Sequence, residues 1–367
     1  MGIKSLSQFL KKTHPDLFKP IHISEFAYKK VAIDISLYLC NYKALYGDSG
    51  WLSAFIRLIA CLRENEIHPI FIYDGGFPAE KKNEQKERAS DREKMEDRVS
   101  TLEEAIEKFE TTGELDQCLL DFQKKRKIEP MKSLLSGGQT VNIKGITYMV
   151  EKMRKQLFHI SKEDFDTTKK LFQILDVPYL DAPLEAETTC ADLAKTGKVD
   201  AVLSEDTDLL AYGAPVFLSK INTSEGTCIQ VDYSELLEAM DMSASEFLDF
   251  CIMCGTDYNK NIFKIGPAKA YNLIKKYGSI EGVRDSGIDI SVLNHVRVRE
   301  LFKDYKRIVP KISYCGIPNF PVLSEFIFKK NIKIDIERLR KAFVKEIQIL
   351  EEEEEEEGDE EIIIEDE

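Results

Sequence analysis

The chain has 367 residues, of which 43% are apolar and 32% charged, a composition typical of one large globular domain or two ordinary ones. Its eight cysteines lack the spacing of a secreted disulfide scaffold, and neither a membrane-spanning run nor a signal peptide is visible, so we expect neither export nor membrane insertion. The formal charge of −14 argues against nucleic-acid binding unless it is confined to one segment.

The first predicted elements form a strand–helix–strand unit. Residues 30–34 and 68–74 are apolar runs that each end in an acid, and residues 51–65 between them have apolar side chains at helical spacing. Parallel α/β sheets place active sites at the carboxyl ends of their strands, which is where Asp34 and Asp74 fall. A single aspartate at a strand end is more often a turn or cap residue, so neither acid alone indicates a site.

Residues 80–177 are charged and helix-prone, and they predict an insertion of four helices interrupted at 129–130 and 136–138. The Ser-Thr-Leu-Glu pattern that begins at Ser100 resembles a capping box and predicts the start of one helix. The basic run at 124–127 could guide a single strand or act as a nuclear address, although such runs are usually a solvated face.

The α/β pattern then resumes. Strands are predicted at 178–183, 199–203, 215–219 and 227–231, with a helix at 184–195 and mostly helical sequence from 234 to about 349. The fold class is therefore α/β, with a mostly parallel central sheet flanked by helices. Cys251 and Cys254 lie on an apolar helix without a second cysteine pair, so we expect them to pack in the core and not to bind zinc.

Most of the net charge lies at the C-terminal end. Residues 351–367 contain 13 acids and no lysine or arginine, which is typical of a disordered tail. The remaining 350 residues have 52 acids against 51 bases, so the net charge does not exclude DNA binding by the rest of the chain.

Seven carboxylates fall near strand ends or helix starts: Asp34, Asp74, Glu185, Glu187, Asp206, Asp208 and Asp257. Clustered carboxylates repel one another, so a multivalent cation is their natural counter-charge. Oxygen ligands suit Mg²⁺ or Mn²⁺, and no histidine has the spacing of a metal ligand. Two such ions activate a water and stabilise the leaving oxygen in phosphodiester hydrolysis, which is the predicted reaction class.

Two pairs of acids allow a closer interpretation. Asp206 and Asp208 follow a predicted strand, and their spacing of two residues points both to one side. Glu185 and Glu187 could instead favour the positive end of a helix in which Pro183 is the first residue. The conjunction of all seven acids is stronger evidence than any one of them.

These motifs resemble the flap endonuclease and xeroderma pigmentosum group G family of structure-specific 5′ nucleases. The resemblance rests on MGIKSL at 1–6, VAIDIS at 31–36, YDG at 73–75, PYLDAPLEAE at 178–187, SEDTD at 204–208, CGTDY at 254–258 and IGPAKA at 265–270. It implies a PIN-like fold with a long helical arch insertion, a helix-two-turn-helix element that binds duplex DNA, and two Mg²⁺ or Mn²⁺ ions per active site.

The resemblance also implies roles for individual residues. Asp34, Asp74, Glu185 and Glu187 would serve the first metal, and Glu187, Asp206, Asp208 and Asp257 the second. Lys81 and Arg88 match a basic pair that faces the scissile phosphate, although glutamates alternate with them and a solvated charged helix would give the same pattern. Further expected DNA contacts are Gly2, Arg92, Gly266, Pro267, Lys269 and Lys275.

The helix-two-turn-helix sequence can also be interpreted without the family. Gly266 and Pro267 predict a helix start with proline at its first position, which leaves backbone N–H groups free for a phosphate. Family members often hold a monovalent cation, typically K⁺, in this hairpin, but Lys264 stands where glycine is usual. Cys40 stands where the family has a stacking tyrosine, with Tyr38 and Tyr42 alongside.

The predicted domains are a nuclease region at 1–94, the arch at 95–165, a second nuclease region with the hairpin at 166–285, a helical region at 286–350 and the tail at 351–367. The predicted function is metal-dependent cleavage of flapped or branched DNA in replication or repair. Alternatives are 5′–3′ exonuclease, junction-resolving or RNA-directed activity at the same site, or a silent junction-binding scaffold. We expect a monomer inside the cell, in a nucleus or viral replication site, without a sliding-clamp peptide.

Overall fold

The computed structural model describes residues 2–132, 139–303 and 311–343. The predicted acidic tail, the break at 136–138 and the end of the C-terminal helical region lie outside these residues. The strands are β1 Lys19–His22, β2 Lys30–Asp34, β3 His68–Tyr73, β4 Met131–Lys132, β5 Gln139–Thr140, β6 Tyr179–Asp181, β7 Ala201–Leu203, β8 Val216–Asn222 and β9 Thr227–Asp232.

The α-helices are α1 Leu6–Thr13, α2 Ile35–Glu64, α3 Lys82–Thr112, α4 Gln117–Arg126, α5 Ile143–Lys155, α6 Lys162–Ile174, α7 Ala186–Lys195, α8 Asp208–Ala211, α9 Tyr233–Met240, α10 Ala244–Cys254, α11 Pro267–Tyr277, α12 Ile280–Asp285, α13 His295–Lys303 and α14 Phe320–Lys329. Short 3₁₀ segments occur at Pro15–Leu17, Ile23–Phe26, Ala79–Lys81 and Ser291–Leu293. None of the described helices is long and apolar enough to cross a membrane.

Seven strands form one mixed sheet in the order β1-β9-β8-β7-β2-β3-β6. The pairs β7–β8, β7–β2, β2–β3 and β3–β6 are parallel, whereas β9 pairs antiparallel with both β8 and β1. This confirms the predicted α/β class with a mostly parallel sheet. The edge strand β1 was missed, because Lys19 and Pro20 give it no apolar run.

The sheet is buried on both faces, which is why its central strands are continuous apolar runs. In β3, Ile70 and Ile72 contact the hydrophobic core that contains α7 and α10, while Phe71 and Tyr73 contact the opposite core, with α2 and α6. Cys251 and Cys254 are buried in the first of these cores, as predicted. The alternation assigns one core to each face of the sheet, and the parallel pairing of β2 with β3 brings their carboxyl ends to the same edge.

Helix α2 is longer than the predicted helix because it continues the chain directly from β2. Gly47 interrupts it with φ 65° and ψ −171°, so α2 consists of two helical arms. The second arm corresponds to the helix predicted at 51–65, and its buried residues include Trp51 and Phe55. Leu45 and Tyr46, directly before the break, are exposed at the surface.

The insertion has a hydrophobic core of its own, formed by α3, α4 and α5. Its buried residues are Val99, Leu102, Ala105, Ile106, Leu119, Phe122, Ile146, Val150 and Met153. The prediction that a helix begins at Ser100 was wrong, because α3 runs without interruption from Lys82 to Thr112. The Ser100 hydroxyl donates to Glu104, one turn later in the same helix. We call the bundle of α3, α4 and α5 the arch. Its start at residue 95 stays a prediction, since α3 continues across that position.

Removing the largest side chain of the arch core should unfold the arch locally. Phe122 is 2% exposed, and Phe122→Ala is expected to cost about 3–5 kcal/mol of stability, as for other phenylalanine truncations. Because the arch core is separate from the cores at the sheet, hydrogen exchange should accelerate in α3–α5 and not in β2 or β3. Leu115→Ala, at a 39% exposed site beside α4, is the control. Faster exchange spread evenly over the chain would contradict an independent arch core.

Candidate active site

Two aspartates lie at the ends of neighbouring parallel strands. Asp34 is the last residue of β2 and caps α2, where its Oδ1 accepts the Ser36 N–H at 2.8 Å. Asp74 follows β3, and it accepts the Ser36 hydroxyl at 2.5 Å and the Ala186 N–H at 2.8 Å. Asp74 therefore joins the starts of α2 and α7. Asp34 is therefore also a helix cap, as the structural alternative predicts, whereas Asp74 is not the cap residue of either helix.

The segment after β3 packs closely against the residues that precede α7. The Gly75 N–H donates to Leu184 O at 2.7 Å, and a Cβ on Gly75 would lie 1.9 Å from Ala182 O. Only glycine allows this approach of two backbone segments. The close approach therefore explains why glycine, here Gly75, follows the acid in this motif.

Two glutamates lie at the start of α7. Glu185 is the residue before the helix and Glu187 lies in its first turn, so Pro183 is not the first helical residue and that part of the alternative was wrong. The N-terminal partial charge of the helix still favours both acids there. Glu185 Oε2 accepts the Tyr258 hydroxyl at 2.5 Å, and its Oε1 accepts from Lys81.

Asp206 and Asp208 meet for a different reason from the one predicted. Strand β7 ends at Leu203, so the two acids are not on an extended strand, and Asp208 begins the short helix α8. The Asp208 N–H donates to Asp206 Oδ1 at 2.9 Å, which holds the two residues in a turn. Both side chains are buried, and Asp208 Oδ1 has no hydrogen-bond partner in the described part of the chain.

Gly2 packs directly against this pair of aspartates. A Cβ at Gly2, whose φ is 86°, would lie 2.1 Å from Asp206 Oδ1 and 2.8 Å from Asp208 Oδ1. The N-terminal segment therefore forms part of the wall around the acids. Its predicted DNA contact stays a prediction.

A cavity of about 500 Å³ collects the predicted residues at the carboxyl edge of the sheet. Its lining includes Asp34, Asp74, Glu185, Glu187, Asp206 and Asp257, together with Lys81, Arg88, Ser36 and Cys40. Asp208 is the one predicted acid outside this lining, although it is bonded to Asp206. A larger cavity of about 760 Å³ lies between α2 and the arch, but none of the seven acids lines it.

Mutual repulsion and burial act on these carboxylates. Burial, and then the charge of Asp74, raises the pKa of Asp34 well above its usual value. Burial, and then the charge of Asp34, likewise raises the pKa of Glu187 well above its usual value. Burial and the charge of Asp206 raise the pKa of Asp208 in the same way. Buried acids under this repulsion favour a bound cation.

Two basic side chains supply positive charge to the cluster. Lys81 bonds Glu185 and lies 3.3 Å from Asp257, and although burial lowers its pKa, Glu185 and Glu187 raise it above the ordinary value. Arg88 Nη2 donates to the Asp257 carboxylate at 3.0 Å and 3.2 Å. Arg88 also pairs with Glu84 one turn earlier, as the solvated-helix alternative predicts.

Arg92, one turn beyond Arg88, does not reach the cavity. Its guanidinium donates to the carbonyls of Leu157 and Phe158, after α5, and so ties the two sides of the arch together. Its predicted DNA contact therefore competes with a structural one.

The acids fit a divalent metal by donor type and by charge. The oxygen-only donor set suits Mg²⁺ or Mn²⁺, and the unpartnered Asp208 Oδ1 together with the raised pKa values indicates missing positive charge. In the described chain no three of these side chains are arranged to hold one ion as they stand. Lys81 and Arg88 neutralise part of the cluster instead.

The predicted DNA-binding hairpin lies between α10 and α11. Gly266 precedes α11 and Pro267 is its first residue, as predicted. Lys269 is exposed, whereas Lys275 pairs with Asp241 at 2.6 Å. Lys264 adopts a left-handed φ of 63°, so the chain keeps the conformation that favours glycine there.

The two tyrosines beside Cys40, which the sequence offers as substitutes for the family's stacking tyrosine, differ in position. Tyr38 is buried, so it cannot stack on a base, while Tyr42 packs edge-on against Phe55 and also contacts Tyr46. Cys40 lines the cavity, and burial raises the pKa of its thiol to about 11. The position of the family's stacking tyrosine thus holds a neutral thiol.

A pair of tyrosines supports the acids and was missed, although Tyr258 directly follows Asp257. The hydroxyls of Tyr212 and Tyr258 are 2.7 Å apart, and Tyr258 donates to Glu185. Burial, Tyr212 and Glu185 raise the Tyr258 pKa, so the phenol keeps its proton. The only sequence signal was a tyrosine beside an acid.

Removing the Tyr258 hydroxyl should weaken metal binding. Because Tyr258 orients Glu185, Tyr258→Phe is expected to lower Mn²⁺ affinity about 10–100-fold, the range seen when groups that orient a metal ligand are lost. Tyr212→Phe should have a smaller effect in the same direction. Calorimetric titration measures both, with Tyr271→Phe, whose hydroxyl bonds Met240 O outside the site, as control. Equal affinity in all three would contradict the role of Tyr258.

Comparisons with known proteins agree with this geometry. Residues 1–95 match the XPG N-terminal domain, and residues 176–257 match the XPG I-region. The probable RAD2-like endonuclease 369L of Invertebrate iridescent virus 6 is 34% identical over 384 aligned positions, which cover 94% of this chain and 92% of that protein. Flap endonuclease 1 of Scheffersomyces stipitis is 31% identical over 300 positions, covering 77% of this chain and 68% of that protein.

A solved structure supports the fold. The catalytic core of Rad2 in complex with DNA substrate superposes with a TM-score of 0.63 at 16% identity, over 93% of this chain and 98% of that one. At this identity the likeness concerns the architecture.

Proposed function

Because the chain belongs to the flap endonuclease and xeroderma pigmentosum group G family of structure-specific 5′ nucleases, we propose that it is a divalent-metal-dependent 5′ nuclease that cleaves flapped or branched DNA in replication or repair. One observation carries the proposal. Six acids and two bases from separate parts of the chain line one cavity at the carboxyl edge of the sheet.

The acids are the proposed metal ligands. Asp34, Asp74, Glu185 and Glu187 would hold one Mg²⁺ or Mn²⁺, and Glu187, Asp206, Asp208 and Asp257 the other. When bound, the two ions supply an activated water and stabilise the leaving oxygen. Tyr258 and Ser36 orient acids of the first group through their hydroxyls.

The bases are proposed to bind the reacting phosphate. Lys81 stays protonated beside Glu185 and Glu187, so it acts as a fixed positive charge and not as a proton acceptor. The Arg88 guanidinium can bind a phosphate through two N–H groups once it leaves Asp257. Their joint role is to hold the scissile phosphate over the acids and to stabilise the charge that develops on it.

Duplex DNA is proposed to lie along the hairpin and α11. The exposed Lys269 and the N–H groups at Gly266 suit phosphate contacts, which position a substrate without reading its sequence. RNA as a substrate stays an alternative, and the protein is proposed to act as a monomer.

The test is a substrate panel with Mg²⁺: a 5′-flap, a blunt duplex, a four-way junction and single-stranded RNA. We expect the 5′-flap to be cut fastest, and cleavage to stop with a chelator and with Asp34→Ala. Faster cutting of the blunt end, the junction or RNA would indicate exonuclease, resolvase or RNA-directed activity. No cleavage of any substrate, with no Mn²⁺ bound in calorimetry, would indicate a silent scaffold.

A further inference from the structure

The hairpin before α11 has an unusual turn. The Ile265 N–H donates to Ile262 O at 3.0 Å, and the third residue of this turn, Lys264, has φ 63°. Turns with positive φ at the third position favour glycine, because a Cβ there is sterically unfavourable. The hairpin therefore keeps the backbone shape of a glycine turn and places a lysine at its tip.

A side-chain amide fills the inside of this turn. Asn261 Nδ2 donates to Ile265 O at 2.9 Å and to Ile262 O at 3.3 Å, so two main-chain carbonyls converge on one nitrogen. An amide NH₂ has two hydrogens, and both are used here.

A second asparagine holds the base of the hairpin. The Thr256 N–H donates to Asn259 O at 3.1 Å, and Asn259 Nδ2 donates to Ile252 O at 2.9 Å. Thr256 Oγ1 also donates to Asn259 Oδ1 at 2.7 Å. Side-chain amides thus hold both the base and the tip of the hairpin together.

The K⁺ that the family resemblance implies does not fit this arrangement. A hard cation in such a turn would need the oxygens of inward-facing main-chain carbonyls. Ile262 O and Ile265 O converge on a point that the Asn261 amide already occupies. At the base of the hairpin, the Asn259 amide likewise fills the space between Ile252 O and Lys260 O. Lys264 adds a positive charge to the same turn, which disfavours a second cation.

We infer that the Asn261 amide takes the place of the monovalent cation, so that this chain holds its hairpin and binds duplex DNA independently of K⁺. The DNA part of this inference rests on the proposed function, whereas the hairpin part does not. The positive charge that the cation would have provided at the phosphate contact comes instead from Lys264.

The first test measures thermal unfolding of the full chain in KCl and in tetramethylammonium chloride at equal ionic strength. Wild type should unfold at the same temperature in both salts. Asn261→Ala frees the two carbonyls, so it should unfold at a higher temperature in KCl than in tetramethylammonium, because an ion that binds only the folded state stabilises it. Asn272→Ala, on the exposed face of α11, is the matched control.

Two outcomes would overturn the inference. One is wild type that is stabilised by K⁺, and the other is Asn261→Ala that is as indifferent to K⁺ as wild type. Should Asn261→Ala not fold, Asn261→Ser replaces it, because a hydroxyl is itself a cation ligand and should give the same gain of K⁺ dependence.

The second test measures Kd for a duplex in the two salts, with a chelator present to prevent cleavage. Wild type should bind equally in both to within about twofold, and Asn261→Ala about tenfold more tightly in KCl, the size expected for restoring one or two hydrogen bonds. Tighter wild-type binding in KCl overturns the inference alone. An absence of wild-type binding in either salt contradicts the proposed function and the DNA part of the inference, while the unfolding result still decides the hairpin part.

Discussion

Replacing Asp208 by asparagine should lower 5′-flap cleavage by about 10³-fold and raise the stability of the metal-free protein. The rate falls because the acid is a proposed metal ligand, and the loss is of the size seen when one electrostatic contact to a transition state is removed. The stability rises because Asp208 is buried, its Oδ1 has no partner within the described residues, and Asp206 repels it. Mn²⁺ titration, cleavage rates and thermal unfolding with a chelator measure the three effects.

The sign of the stability change distinguishes a ligand from a structural acid. Asp249 is also buried, but it pairs with Arg299 at 2.5 Å and accepts the Ile280 N–H. Asp249→Asn should therefore lower the unfolding temperature and leave Mn²⁺ affinity intact, the opposite of Asp208→Asn. A destabilised Asp208→Asn that still binds Mn²⁺ and cleaves DNA would exclude Asp208 as a ligand.

Replacing Lys81 by alanine should reduce cleavage about 10²–10³-fold without weakening metal binding. In the proposed mechanism the positive charge of Lys81 lies beside the phosphate. In the metal-free protein its ammonium group forms ion pairs with the Glu185 and Asp257 carboxylates. Its removal therefore takes away a competitor of the metal, and Mn²⁺ affinity should stay the same or increase. Single-turnover cleavage rates and calorimetry measure the two quantities.

The neighbouring lysine is the matched control for this substitution. Lys82 begins α3 and is exposed, so Lys82→Ala should change neither quantity by more than about twofold. Lys81→Arg keeps the charge and should recover part of the rate. A loss of Mn²⁺ binding in Lys81→Ala would mean that Lys81 holds the acids in place and does not act on the phosphate.

Buried parallel strands were predictable because their residues have no solvent face. Residues 31–33 and 69–73 are apolar on both faces of the sheet, so Asp34 at the end of β2 and Asp74 directly after β3 stand out. The edge strand β1 gave no such signal, since Lys19 and Pro20 are compatible with an edge and typical of loops. Burial on both faces, and not strand propensity, made the difference.

Three details of the structure could not be predicted from local sequence patterns. The capping-box pattern at Ser100 was overridden because the packing of Val99 and Leu102 in the arch core keeps α3 helical through that position. The pairing of Asp206 with Asp208 depends on a turn and not on strand alternation. The contact of Tyr258 with Glu185 joins residues 73 positions apart, which no local pattern encodes.

The separate core of the arch has a consequence for how such an enzyme can diversify. Because α3, α4 and α5 bury their own apolar side chains, a change inside this bundle need not alter the packing around the acids. Distant substitutions without shared neighbours act additively on stability. Natural variation could therefore exchange or lengthen the part of this module beyond Arg88, the α3 residue that contacts Asp257, while the chemistry at the cavity stays as it is.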